Sequence, residues 1–184
     1  MKKSSKNLNY RIGDSVEVHS NEEGYVGSFY EAKVLDVSKN HVLMVEYKTL
    51  VTPDESKWLR ERVHVSQGRP RPPQLQVSNF NLSDEVDAYD NEGWWVGRIT
   101  RICESKYYAC FDGNSSSCKG SSSSSDDDDD DEINNNPQKR RLIDESKYYV
   151  YFSTTQDLIA YPLSRLRLHQ EWKNGKWFPY SSGL

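Results

Sequence analysis

Residues 12–24 read IGDSVEVHSNEEG, and residues 82–93 read LSDEVDAYDNEG. Each stretch consists of a polar turn, a short run of alternating apolar and polar residues, and an acidic loop that ends at glycine. Alternation with a period of two predicts a β-strand with one buried face, and glycine permits the positive φ that ends such a strand. The chain is therefore predicted to contain two copies of one β unit.

Three further strands are predicted after each opening stretch. In the first copy they are residues 28–37, 41–47 and 57–65, and in the second copy residues 94–102, 147–152 and 158–166. Short, strongly bent antiparallel strands close into small barrels, which removes exposed sheet edges. The predicted fold class is all-β, with two small barrels in tandem joined by the stiff, proline-rich linker at residues 69–73. After Leu166, residues 167–173 are predicted to form a short C-terminal helix that ends at Asn174 and Gly175.

The second copy contains a local duplication. Residues 104–111 read ESKYYACF, and residues 145–152 read ESKYYVYF. The Ser-, Asp- and Asn-rich chain between them cannot bury enough apolar surface to offset its ordering entropy, so it predicts a disordered acidic loop. We expect Tyr148 to Phe152 to form the barrel strand. The alternative is that both versions pair with each other as a long hairpin arm.

Composition bears on the partner. The net charge is −4, and much of the acidity lies in Asp126 to Asp131. Nucleic acids are held mainly by clustered Lys and Arg, whereas the basic residues of this chain are scattered among acids. A basic peptide is therefore favoured over direct binding of nucleic acid. The alternatives left open are single-stranded nucleic acid stacked on aromatic rings, and an adaptor role for a non-histone protein.

Other classes of function are disfavoured by missing motifs. Cys103, Cys110 and Cys118 lack zinc-site spacing and are predicted to be reduced thiols in an intracellular protein. The N-terminus has no apolar signal-peptide stretch, and no segment is long and apolar enough to span a bilayer, so no membrane association is expected. The sequence has no phosphate loop, metal-spaced His pair or nucleophile elbow, so no enzyme and no cofactor are expected.

Residues 10–73 resemble the plant Agenet domain, chiefly through residues 13–18, 22–32, 45–50, 59–61 and 69–73. The second copy resembles it more weakly, through residues 86–90, 92–95 and 160–167. We therefore predict Agenet domains at residues 8–73 and 78–178, the second interrupted by an insertion at about residues 112–144. The resemblance implies a Tudor-like, Royal-superfamily barrel that pairs in tandem. It also implies a nuclear chromatin reader that binds modified or unmodified lysines of the histone H3 tail.

The resemblance also implies where the ligand binds. Tudor pockets are lined by the end of the first strand, the following loop, the start of the second strand and the end of the third. In the first copy these positions are His19, Ser20, Glu22, Glu23, Tyr25, Phe29, Tyr30 and Tyr47. In the second copy and the groove between the barrels they are Asp84, Glu85, Tyr89, Asp90, Trp94, Trp95 and Phe152, with Asp84, Glu85 or Asp90 accepting the free amine of the peptide. Because neighbours on a strand point to opposite faces, one of each adjacent pair faces the core, and Tyr30, Tyr47, Trp95 and Phe152 are the preferred pocket residues.

The chemistry of the pocket depends on its balance of rings and acids. A methylated lysine keeps its charge but loses strong hydration, so aromatic faces compete with water for it. An unmethylated ammonium needs acceptors, especially carboxylates, to replace its water shell. The rings favour methyllysine slightly, and the many acids keep unmethylated lysine open. Protonation of His19 in the pocket would repel lysine, which predicts weaker binding below about pH 6.5.

Overall fold

The structure is a computed structural model that describes residues 10–110 and 140–179. The predicted acidic loop, including Asp126 to Asp131, lies outside the described residues. All strand pairings in the described ranges are antiparallel, apart from an isolated bridge between Ser20 and Val26. The predicted all-β fold class is confirmed.

The first barrel is built from five strands: β1 (Ser15–His19), β2 (Ser28–Ser38), β3 (Val42–Val51), β4 (Trp58–His64) and β5 (Gly68–Pro70). A single 3₁₀ turn (Val65–Gln67) joins β4 to β5. The ladders run in the order β4, β3, β2, β1, β5, so the last strand returns to pair with the first. Alternate residues of β2 and β3 are buried, as the period-two pattern predicts.

The second barrel repeats this order. Its strands are β6 (Glu85–Asp90), β7 (Gly93–Cys103), β10 (Lys147–Phe152), β11 (Asp157–Pro162) and β12 (Leu166–Leu168). A 3₁₀ turn (Leu163–Arg165) again precedes the final strand, and the ladders run β11, β10, β7, β6, β12. The two copies of the sequence unit are therefore two copies of one Tudor-like barrel.

The duplicated ESKYY segment has two different roles. The later version forms β10 and pairs with β7 and β11, which confirms Tyr148 to Phe152 as the barrel strand. The earlier version forms β8 (Lys106–Cys110), which pairs with β9 (Arg140–Asp144) in a separate two-stranded sheet. The alternative, in which the two versions pair with each other, is wrong. The predicted bounds of the two domains and of the insertion remain predictions.

The predicted C-terminal helix is wrong. In its place β13 (Gln170–Lys173) and β14 (Lys176–Pro179) form a hairpin, with Trp172 opposite Trp177. Asn174 and Gly175 form the two-residue loop, and both have positive φ, at 53° and 79°. A hairpin turn that follows the twist of its strands needs this pair of left-handed residues, and Asn-Gly supplies it best. The prediction took the same dipeptide as a helix terminus.

Each barrel has its own apolar core, and the two cores meet at one place. β2 pairs with β7 across the boundary between the barrels, through Ser28 with Trp95 and Phe29 with Trp94. The side chain of Trp95 packs against both cores. This shared seam joins the starts of the second strands of the two barrels.

Candidate functional site

A cavity of about 660 Å³ opens in the first barrel. It lies between the end of β1, the loop that follows and the facing parts of β2, β3 and β4. Six of the predicted first-copy residues line it: His19, Ser20, Glu22, Tyr25, Tyr30 and Tyr47. The structure therefore brings most of the first predicted set together at one opening.

The rings of the cavity form a buried floor and an exposed rim. Tyr30 and Tyr47 are 7% and 5% exposed, and their rings are perpendicular with centroids 6.4 Å apart. Tyr30 also meets the edge of Trp95 at 6.4 Å. Tyr25 stands at the rim, 48% exposed, with its ring 6.5 Å from that of Trp95. The cavity thus combines one exposed ring with two buried ones.

Carboxylates flank these rings. The Tyr47 hydroxyl donates to Glu61 Oε2 at 2.5 Å, and Glu22 also lines the cavity. Burial raises the pKa of Tyr47 well above its usual value, and the hydrogen bond to Glu61 raises it further. Burial likewise raises the pKa of Tyr30. Both phenols therefore stay neutral, and the charged side chains that line the cavity are the carboxylates of Glu22 and Glu61 and the guanidinium of Arg60, which pairs with Glu46.

The fourth strand contributes residues that the prediction missed. Leu59, Arg60, Glu61 and Val63 of β4 all line the cavity. A signal for three of them is present in the sequence, since Leu59, Glu61 and Val63 alternate along one strand and must share a face. Because Val63 is an apolar core residue, Glu61 on the same face must point toward the end of the core.

Two residues of the first predicted set lie elsewhere. Phe29 points to the opposite face of β2 from Tyr30, and the Arg69 guanidinium carbon lies 3.4 Å from the centroid of its ring. Glu23 is exposed in the loop, beside the residues that line the cavity. The separation of Phe29 from Tyr30 follows from the alternation of side chains along a strand.

In the second barrel, predicted residues surround a tyrosine that the sequence did not single out. The Tyr161 hydroxyl donates to Asp90 Oδ2 at 2.7 Å, and its ring meets that of Phe152 edge-on at 6.2 Å. The Trp95 indole N–H donates to the Asp90 carbonyl at 2.8 Å. Burial raises the pKa of Tyr161, and the bond to Asp90 adds to the rise. Asp90 is thus already engaged by the protein's own side chain.

The remaining second-copy residues make separate contacts. Asp84 Oδ2 accepts from the Asn81 amide at 2.8 Å and holds a turn, and Glu85 pairs with Arg98 at 2.9 Å. The rings of Tyr89 and Trp94 meet edge-on with centroids 5.1 Å apart. Among these, Trp94 also lies under a cation, because the Arg167 guanidinium carbon is 4.1 Å from the centroid of its ring.

A buried ion cluster joins the two barrels. Glu17 on β1 faces Arg69 on β5, and Asp87 on β6 faces Arg167 on β12, so the two pairs are equivalent. Arg69 reaches Glu17 at 2.7 Å, and Arg167 reaches both Glu17 at 2.7 Å and Asp87 at 2.9 Å. His169 Nδ1 lies 2.5 Å from Asp87 Oδ1. Because the pairs cross between barrels, the cluster fixes one barrel against the other.

The pKa of Asp87 reflects this cluster. Burial disfavours its charged form, but the hydrogen bond with His169 and the charges of Arg167 and Arg69 outweigh burial and hold its pKa below the usual value. A carboxylate with a depressed pKa in the folded state stabilises the fold above its unfolded pKa, which is 3.8 here. That contribution is lost as the pH falls through the folded pKa.

We therefore predict that the free energy of unfolding falls as the pH is lowered below about 4, and that Asp87→Asn removes part of this fall. Urea unfolding at a series of pH values measures it. Asp36→Asn, at an exposed position on β2, is the control and is expected to keep the wild-type pH dependence. An Asp87→Asn profile with the same slope as wild type would contradict the assignment.

Residues 10–110 and 140–179 contain no group of three or more His, Cys, Asp or Glu placed to hold a metal ion. Cys103 is a free, exposed thiol. No helix in the described part of the chain has the length and apolar character needed to cross a membrane. The cavity of the first barrel is therefore the candidate functional site.

Two five-stranded Tudor-like barrels, paired edge to edge and locked by a buried ion cluster, define a tandem Tudor-like module. Comparison with known proteins shows which family this module matches. Residues 13–73 match the Agenet domain. The chain is 33% identical over 177 residues to Protein AGENET DOMAIN (AGD)-CONTAINING P1 of Arabidopsis thaliana, covering 96% of this chain and 26% of that protein. Residues 13–73 thus match the Agenet domain family, and the whole chain is similar to an Agenet-domain protein.

Solved structures agree with this assignment. The crystal structure of Arabidopsis thaliana AGDP1 AGD34 matches with a TM-score of 0.65 and 25% identity, over 91% of this chain and 88% of that chain. The crystal structure of ADCP1 tandem Agenet domain 3-4 matches with a TM-score of 0.61 and 23% identity, over 92% and 86%. DUF724 domain-containing protein 3 of Arabidopsis thaliana is 27% identical over 168 residues, which is 88% of this chain and 18% of that protein. The chain thus spans about a quarter or less of these two curated relatives.

Proposed function

We propose that this chain is a non-catalytic chromatin reader that binds the N-terminal tail of histone H3 in the nucleus, holding one lysine side chain in the cavity of the first barrel. One observation carries the proposal: three tyrosines and two carboxylates meet at a single opening of about 660 Å³. Such a combination suits a cation on a flexible stem. To act on a small-molecule substrate, the protein would need reactive side chains at the opening. The side chains that line the opening are instead those of a binding surface.

Lysine fits this opening for physical reasons. Its long apolar stem can lie against Leu59 and the ring of Tyr25 while its charge reaches the inner rings. Neutral rings attract a cation through their faces, each contributing roughly 0.5–2 kcal/mol according to desolvation. Glu22 and Glu61 add charge complementarity. The tail of histone H3 supplies several such side chains on an extended basic segment.

The methylation state follows from the same balance. The three rings favour a methylated lysine, because methyl groups weaken hydration of the ammonium and leave its charge available to aromatic faces. Glu61 already accepts the Tyr47 hydroxyl, which occupies one of its acceptor positions. Unmethylated lysine remains the second candidate, because Glu22 can accept a hydrogen bond from it.

Calorimetry with H3 N-terminal peptides tests the proposal. Each tail lysine is presented unmethylated and with one, two or three methyl groups, and a matched peptide replaces that lysine with glutamine. We expect a dissociation constant near micromolar, about −8 kcal/mol, for at least one lysine peptide, and loss of binding for its glutamine match. Tighter binding of single-stranded RNA than of every H3 peptide, at equal salt, would contradict the proposal.

A further inference from the structure

We propose that the second barrel contains a latent cation pocket that its own Tyr161 closes, so that the chain takes up lysine through the first barrel alone. The inference extends the proposed function, since the ligand is the same lysine side chain. It answers whether a tandem of two similar barrels offers two sites or one. Strand register makes the two barrels comparable residue by residue.

Val63 and Tyr161 occupy the same position in the two barrels. Leu43 in β3 lies opposite Val63 in β4, and Tyr148 in β10 lies opposite Tyr161 in β11. Leu43 and Tyr148 are equivalent, because each lies two residues before the fully buried valine at the centre of its strand. The fourth strand therefore presents a short side chain in one barrel and a long one in the other.

The residues around these positions also correspond. Ser20 and Asp90 both end the first-strand segment, and Tyr47 and Phe152 both end the equivalent run of the third strand. In the first barrel Ser20, Tyr47 and Val63 line the open cavity. In the second barrel the equivalents of the first two are in contact with Tyr161. The space between these residues is therefore open in the first barrel, whereas Tyr161 fills the equivalent space in the second barrel.

Tyr161 behaves as an internal ligand of this pocket. Its ring packs edge-on against Phe152, and its hydroxyl donates to Asp90 at 2.7 Å. It is 5% exposed. A lysine ammonium would need the same aromatic contact and the same carboxylate. To enter, it would have to displace a ring that is already buried and hydrogen-bonded.

Reciprocal substitutions test the inference. Tyr161→Val gives the second barrel the residue of the first and is expected to raise the number of H3-peptide sites per chain from one to two in calorimetry. Val63→Tyr gives the first barrel the residue of the second and is expected to abolish binding. Tyr161→Phe keeps the ring and is the matched control, with one site as in wild type. Two sites in wild type, or one site in a folded Tyr161→Val, would overturn the inference.

A probe that needs no histone separates this inference from the proposed function. Tetramethylammonium is titrated into ¹⁵N-labelled protein, and amide shifts are followed at Ser20 and Tyr47 in the first barrel and at Asp90 and Phe152 in the second. Wild type is expected to shift only in the first barrel, and Tyr161→Val in both. If no H3 peptide binds but this pattern holds, the histone proposal fails and the closed pocket stands. If wild type shifts equally in both barrels, the closed pocket fails even where Tyr161→Val does not fold.

Discussion

Replacing Glu17 with alanine is expected to lower the free energy of unfolding by about 3–5 kcal/mol. Glu17 is fully buried, and it accepts hydrogen bonds from the guanidinium groups of both Arg69 and Arg167. Removing it leaves two buried cations with only Asp87 to balance them. Uncompensated buried charge is one of the few causes of losses this large. Chemical denaturation of the variant measures the effect.

Glu46→Ala is the matched control. Glu46 pairs with Arg60 at 2.7 Å, the same N–O distance as the shortest Glu17 pair, but the Arg60 side chain is 64% exposed. An exposed pair contributes about 0–1 kcal/mol, so the control is expected to change stability by no more than that. Equal losses for the two variants would show that the buried cluster does not hold the barrels together.

Replacing Tyr25 with alanine is expected to weaken binding of the H3 peptide about tenfold, which corresponds to about 1.4 kcal/mol. Tyr25 is the exposed ring at the rim of the cavity and contacts Trp95. Because the side chain is 48% exposed, its loss should disturb the fold far less than loss of Tyr30 or Tyr47. Calorimetry with the best lysine peptide provides the measurement.

Two controls accompany this variant. Tyr25→Phe keeps the aromatic face and is expected to bind within about threefold of wild type, since the face supplies the cation–π contact. Tyr151→Ala removes a similarly exposed tyrosine, 39% exposed, from β10 of the second barrel and is expected to leave affinity unchanged. Equal weakening by Tyr25→Ala and Tyr151→Ala would argue against a site in the first barrel.

The strands were predictable because a half-buried strand leaves a local signature. Period-two alternation places Val16, Val18, Val86 and Ala88 in the apolar cores, where each is at most 3% exposed, but it does not predict that the acids between them, Glu17 and Asp87, are buried as well. The repeat then predicts the second barrel from the first. At the C-terminus the local signal was ambiguous, because Asn174-Gly175 suits both a helix end and a tight hairpin turn.

The ion cluster was not predictable in the same way. Arg167 and Glu17 are 150 positions apart, and nothing in the neighbourhood of either residue records their contact. The pair exists because β5 and β12 return to the first strand of each barrel, and the pairing of β2 with β7 brings the two barrels together. Long-range pairing of this kind follows only from the assembled topology.

The candidate site was predicted in part for a related reason. The ends of β1 to β3 were carried over from the family resemblance, and they brought Tyr30 and Tyr47 to the cavity. The contribution of Glu61 depends on the register between β3 and β4, which places Glu61 opposite Val45, and that of Tyr161 depends on side-chain length at one position. Neither effect is visible without knowing which residues face each other across the strands.

Amide-shift mapping by NMR tests the central claim most directly. The ¹⁵N-labelled chain is titrated with the H3 peptide that binds best and with its lysine-to-glutamine match. We expect the H3 peptide to produce the largest shifts at the amides of Ser20, Tyr25, Tyr47 and Glu61. The matched peptide is expected to produce no such shifts. Shifts of equal size with both peptides, or shifts that leave these four amides unmoved, would contradict a lysine site in the first barrel.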